Sequence, residues 1–218
     1  MKPQDCGRWI MLDQYKTKKC LFIRNEKPYG YSWEEWTIKW WKWLLTIPKL
    51  SNPALDTTGE LFSLETQDKD SEVIFLPGNL GGYSARTYVL PSRKALLIPI
   101  INFTTSYSEE PTLRTELELL SRANNDIDDI TEKFAEIDGH PIYNLEEYRV
   151  RAPPFETFVI PDNIFNVTPG QTTAVSDGYW IFLRPLSIGM HEIHTFGSCS
   201  SGKTCVDSKL YLTVKEMW

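Results

Sequence analysis

The most regular stretch of the chain is YSWEEWTIKWWKWLLTIP, residues 31–48. At about 100° per residue, Trp33, Trp36, Trp40, Trp43, Leu44 and Ile47 fall within one stripe roughly 100° wide, which predicts an amphipathic helix near 32–47. Ser32 is suited to cap its start, Glu34 and Glu35 sit where carboxylates favour the helix dipole, and Pro48 ends it. The Trp stripe is expected to dock on the core. The other face mixes acidic and basic residues, unlike a membrane-surface helix. Trp41 lies off the stripe and is expected at the surface.

Beyond the turn-rich SNPALDTTGE the pattern changes to short apolar runs: EVIFLP, ARTYVLP and ALLIPIINF. These predict strands, the third covered on both faces because it is apolar almost throughout. GNLGGYS, between the first two, reads as a Gly-rich hairpin; the alternative is an anion cradle completed by Arg86. EEPTLRTELELLSRAN predicts a second helix near 111–123, with Pro111 at its start and Leu113, Leu117 and Leu120 at core spacing. The acidic NNDIDDITEKF that follows lacks the EF-hand order and reads as a solvated loop. Asp138-Gly139 marks a two-residue hairpin. FETFVIP, GYWIFLRPL, MHEIHTF and KLYLTV then recur with Pro and Gly punctuation, as in an antiparallel sandwich.

At 218 residues, 41% hydrophobic and 13% aromatic, the chain can bury a sizeable core. The formal net charge of −6 argues against nucleic acid as a partner. No run of about 18 apolar residues predicts a membrane span, and residues 1–20 lack the apolar core of a secretory signal. Cys199 and Cys205, six apart, are spaced for a hairpin disulfide in an oxidising compartment; in a reducing one they would be plain thiols.

GSCSSGKT, residues 197–204, fits the phosphate-loop pattern at every required position. A phosphate loop needs a helix starting at its Lys, whereas only fourteen residues follow Thr204 and their alternation of Leu210, Leu212 and Val214 with Tyr211 and Thr213 predicts a strand. Nucleotide hydrolysis is therefore rejected. Of the three histidines, His191 and His194 point to opposite faces of a strand, while His194 and Glu192 share one. A divalent metal held by His194 with Glu192 and a distant carboxylate, Asp177 or Asp162, is the candidate enzyme site. Covalent catalysis by Cys199 with His194 has no motif behind it. Asn102 and Asn166 begin N-x-T tripeptides.

The ordered set YSWEEWTIKWWKWLLTIPKLSNPALDTTGE, VIFLPGNLGG, KALLIPIINF, DGHPIYNLEEYRV and DGYWIFLRPLSIGMHEIHTFG resembles a widespread family of uncharacterised microbial proteins, many of them exported. The resemblance runs from Tyr29 to Val214. It implies one compact domain ending in an immunoglobulin-like sandwich and supplies no activity.

The expectation is a β-rich α+β protein. Residues 1–28 form an extension, and 29–218 one antiparallel immunoglobulin-like or jelly-roll sandwich flanked by the two helices. The function expected is non-enzymatic binding of a ligand or protein at or outside the cell envelope, through Trp41, Tyr83, Arg86 and Trp180, with no cofactor. The rivals are a metal-dependent hydrolase using His194 with Glu192 or Asp177, and a structural subunit of a larger assembly or homo-oligomer.

Overall fold

The computed structural model describes residues 20–200, 202 and 205–216. The helix α1 spans Trp33–Leu45. A capping box starts it: the Ser32 hydroxyl accepts from Glu35 N–H while the Glu35 carboxylate accepts from Ser32 N–H. Buried Asn52 closes the other end, donating to the carbonyls of Leu44 and Ile47.

Among the described residues, nine strands follow in two sheets. The first contains β1 (Val73–Phe75), β3 (Ala95–Ser106), β6 (Arg149–Val159) and β7 (Gly170–Leu183), in the order β1-β3-β7-β6. The second contains β2 (Gly82–Pro91), β4 (Ile130–Ile137), β5 (His140–Pro141), β8 (Gly189–Cys199) and β9 (Cys205–Lys215), in the order β2-β9-β8-β4-β5. The β-rich sandwich expected from sequence is present. Most pairings are antiparallel, but β1 with β3 and β2 with β9 run parallel. Because β1 and β2 belong to different sheets, GNLGGYS is a crossover between sheets and not a hairpin. The Asp138-Gly139 turn does join β4 to β5, with positive φ of 51° and 74° at its two residues.

Rings at α1 interlock with β7: Trp40 meets Trp180 edge to face at 5.1 Å, and Trp33 and Trp36 both contact Phe182. Trp40 Nε1 also donates to the Leu76 carbonyl at 2.8 Å. Burying each such ring contributes on the order of 2 kcal/mol. A second buried row, Thr37, Trp41 and Leu45, runs beside the predicted stripe at i, i+4 and i+8. Trp41 is thus 3% exposed, not a surface ring.

The second helix, α2 (Glu116–Asp128), begins five residues later than expected. Thr115 and Glu118 form its capping box. The core side chains are Leu119, Ala123 and Ile127, while Leu117 is 72% exposed. Its last turn and β4 occupy the stretch expected to be an acidic loop. Val175, against α2, and Trp180 and Phe182, against α1, alternate along β7, so the helices lie on opposite faces of the first sheet. Part of the expected N-terminal extension is integral: Leu21 bridges Leu183, and Arg184 pairs with Glu26.

Candidate ligand-binding site

The parallel partner β1 covers only Ala95 to Leu97 of β3, and no described strand lies beside that edge further on. After Leu76 the chain leaves this edge for the second sheet, and a gap opens between the layers. It forms a cavity of about 300 Å³. Trp41 borders it from α1, Gly78 to Leu80 from the crossover, Pro99 to Thr104 from β3, and Thr195, Val206 and Ser208 from the inner face of the second sheet; Phe165 and Glu109 complete the lining.

The walls are mostly apolar, and the polar groups among them are few. Trp41 Nε1 and Asn102 Nδ2 are buried donors with no hydrogen-bond partner among the described residues. Orphan donors of this kind cost free energy unless an acceptor arrives from outside the chain. Gly178 pairs with Asn102 across the sheet and leaves room for its side chain: a Cβ there would lie 2.5 Å from Asn102 Cβ. Glu109 accepts from Ser106 Oγ at 2.8 Å. Burial pushes its carboxyl up to about 7, and neighbouring Glu110 adds to the shift.

The residues singled out by sequence fall in different places. Trp41 lines the cavity. Trp180 is 1% exposed and packs on Trp40, so it is a core ring rather than a surface contact. Arg86 is fully buried; its Nε donates to the Asp56 carbonyl at 2.7 Å and its Nη1 to the Pro77 carbonyl at 3.0 Å, tying two loops to β2 instead of facing an anion. Tyr83 is exposed, on the outer face of the second sheet.

The expected metal set does not assemble. Asp177 lies in the first sheet, 1% exposed, gripped by Arg149 through Nε to Oδ1 at 3.0 Å and Nη2 to Oδ2 at 2.5 Å. His194 lies in the second sheet, with Nε2 2.8 Å from Asp207 Oδ1 and its ring edge against Phe134. Its nearest carboxylates are Asp207 and Glu136, not Glu192, which reaches toward Lys209. No group of three or more His, Cys, Asp or Glu among the described residues is arranged to hold a metal.

No disulfide joins Cys199 to Cys205. The register pairs Cys205 with Ser198, so Cys199 belongs to the opposite face; it is buried while Cys205 is exposed. Ser201, Lys203 and Thr204 of the phosphate-loop pattern lie outside the described residues; Cys205–Lys215 after them form β9, a strand and not the helix that a phosphate loop requires.

Sequence reasoning overlooked one array. His191 Nδ1 lies 2.8 Å from Asp138 Oδ2, and Nε2 lies 3.3 Å from Ser187 Oγ. A Ser-His-Asp triad is suggested, but Nε2 also sits 2.9 Å from the Ser187 carbonyl oxygen. That oxygen, which only accepts, lies closer to Nε2 than the hydroxyl does, so the ring nitrogen is directed at the backbone and not at Oγ. The array fastens the β7 to β8 turn to the Asp138 hairpin.

The outer face of the second sheet carries exposed Tyr83, Val89, Met190 and Tyr211, interrupted by the His194 and Asp207 pair and by Lys209 with Glu192. No helix among the described residues is long and apolar enough to cross a membrane.

No family model matches the chain, and no curated protein matches it. Solved structures similar to it include PbICP-C in complex with falcipain-2, at 13% identity and a TM-score of 0.27, covering 66% of this chain and 100% of that one. The solution structure of amebosin is similar at 8% identity and a TM-score of 0.21, covering 66% and 96%. Likeness at these scores carries no functional inference.

Proposed function

We propose that the protein is a non-enzymatic binding protein that holds a small, largely apolar ligand in the cavity beside the open edge of β3. One observation carries this reading: a mostly apolar cavity of about 300 Å³ opens beside the unpaired edge of β3, and two of its lining residues, Trp41 and Asn102, carry buried donors, Nε1 and Nδ2, with no hydrogen-bond partner among the described residues. A ligand pocket characteristically combines apolar walls with a few convergent polar groups, and its volume matches the lower end of the usual range. Placement at or outside the cell envelope rests on the resemblance to exported proteins.

Leu80, half exposed, borders the cavity and offers a way to narrow it without touching the core. A saturation-transfer NMR screen of aromatic and alicyclic fragments against wild type and Leu80→Trp tests the reading. Fragments that bind wild type and lose their signal in the variant support it. No binding fragment, or hits indifferent to the substitution, would overturn it.

A further inference from the structure

We propose that this cavity selects an uncharged molecule bearing a hydrogen-bond acceptor oxygen, such as a ketone or lactone, and that ionisation of Glu109 releases it. The inference rests on the binding reading above and adds the ligand class and its control.

Selectivity follows from the lining. The orphan groups of two lining residues, Trp41 Nε1 and Asn102 Nδ2, are donors shielded by the cavity wall, so an occupant that brings an acceptor gains a bond when the wall shifts to meet it. Among the described residues no Lys, Arg or His borders the cavity, so a carboxylate or phosphate would lose its hydration with no countercharge from them to offset the loss. Glu109 is the titratable residue among the described lining, and its charge would repel an anion further. Size and apolar walls exclude a heavily hydrated sugar. A compact molecule with an apolar body and a carbonyl satisfies every wall.

Control follows from what surrounds Glu109. Its own loop supplies Ser106 and Glu110. From α2 and its C-terminal end, Arg122, Asp126 and Asp129 border the polar hollow on its far side, and β8 adds Cys199. Arg122 is occupied by Glu110 at 3.1 Å and by Asp126. The α1 side offers Trp41 and Leu45, neither of which titrates. With the nearest cation already engaged and burial dominant, the carboxyl loses its proton only at about pH 7. An apolar occupant removes more water from Glu109 and holds it protonated to higher pH. Binding therefore takes up a proton, and affinity falls as pH rises through about 7. A pH shift of one unit changes affinity by at most about tenfold through one such group.

Three naphthalene probes of equal shape and different charge, 2-acetylnaphthalene, 2-naphthoate and 2-naphthylmethylammonium, test both parts by calorimetry at pH 6.0 and 8.5, in wild type and Glu109→Gln. The ketone should bind best and lose roughly tenfold in affinity at the higher pH. Glu109→Gln, which cannot ionise, should bind it equally at both. A ketone affinity independent of pH in wild type, or a pH effect that survives in Glu109→Gln, overturns the release mechanism. Preference for the carboxylate or the ammonium overturns the ligand class while the binding reading stands. Binding of none of the three would overturn the binding reading itself.

Discussion

Trp41 and Asn102 reach one cavity from two layers: the indole from the helix over the first sheet, the amide from the bulged strand of that sheet. Pro99 and Ile101 flank the bulge in β3, the register shift next to Asn102. Neither donor, Trp41 Nε1 or Asn102 Nδ2, has a hydrogen-bond partner among the described residues. Trp41→Phe should therefore cost little stability, within about 1 kcal/mol, because the lost group makes no bond. Trp40→Phe should cost about 1–3 kcal/mol more, since it strips the Leu76 carbonyl of its donor. Urea denaturation of the two variants distinguishes them. Equal losses would mean that Trp41 Nε1 is bonded after all.

Glu109 predicts a pH signature in stability. Its folded-state value, about 7, lies above the ordinary glutamate value of 4.5, so the folded protein binds the proton more tightly than the unfolded chain does. The stabilisation is complete below about pH 4.5, falls away between there and about 7, and is absent above. Glu109→Gln should match wild type in acid and exceed it by about 2–4 kcal/mol at pH 8, the worth of the shift at about 1.4 kcal/mol per unit. Denaturant midpoints at pH 5 and 8 check this. A variant less stable than wild type at pH 8 would show that the carboxylate is favourably paired.

The contrast between these two residues shows where sequence runs out. The Trp33 to Ile47 stripe, the Ser32 cap and the Asp138-Gly139 turn are local patterns, and each gives the observed element. The start of α2 was equally local: Thr115-x-x-Glu118 is a capping box, and weighting it above Pro111 would have placed the helix correctly. The setting of Trp41 was not local, because the cavity it borders is lined by residues 78–80, 99–104 and 165, far from it in sequence. The cavity joins seven separate stretches and has no linear signature. The metal set failed for the same reason: His194 and Asp177 are close in number, yet the sandwich puts them in different sheets.

Arg149 and Asp177 form a bidentate pair beneath α2, with Arg149 Nη1 also 2.5 Å from Asp128 Oδ1. Asp177→Asn leaves a largely buried guanidinium short of its main partner and should cost about 3–5 kcal/mol. The double variant Asp177→Asn with Arg149→Met should recover a substantial part of that loss. Additive losses in a thermodynamic cycle would contradict the pairing.

Cys205 on the outer face and Cys199 on the inner face predict unequal thiol chemistry. In the native protein under non-reducing conditions, iodoacetamide should alkylate Cys205 well before Cys199, as peptide mass spectrometry would report. A Cys199 to Cys205 bridge in the same digest would contradict the register.

The role proposed for Trp41 Nε1 is read from its indole N–H resonance in a ¹⁵N correlation spectrum, assigned by its loss in Trp41→Phe. Titration with 2-acetylnaphthalene at pH 6.0 should move that resonance downfield as the N–H gains an acceptor, while the Trp40 signal, already bonded to Leu76, stays in place. A bound probe that leaves the Trp41 resonance unmoved would contradict that role.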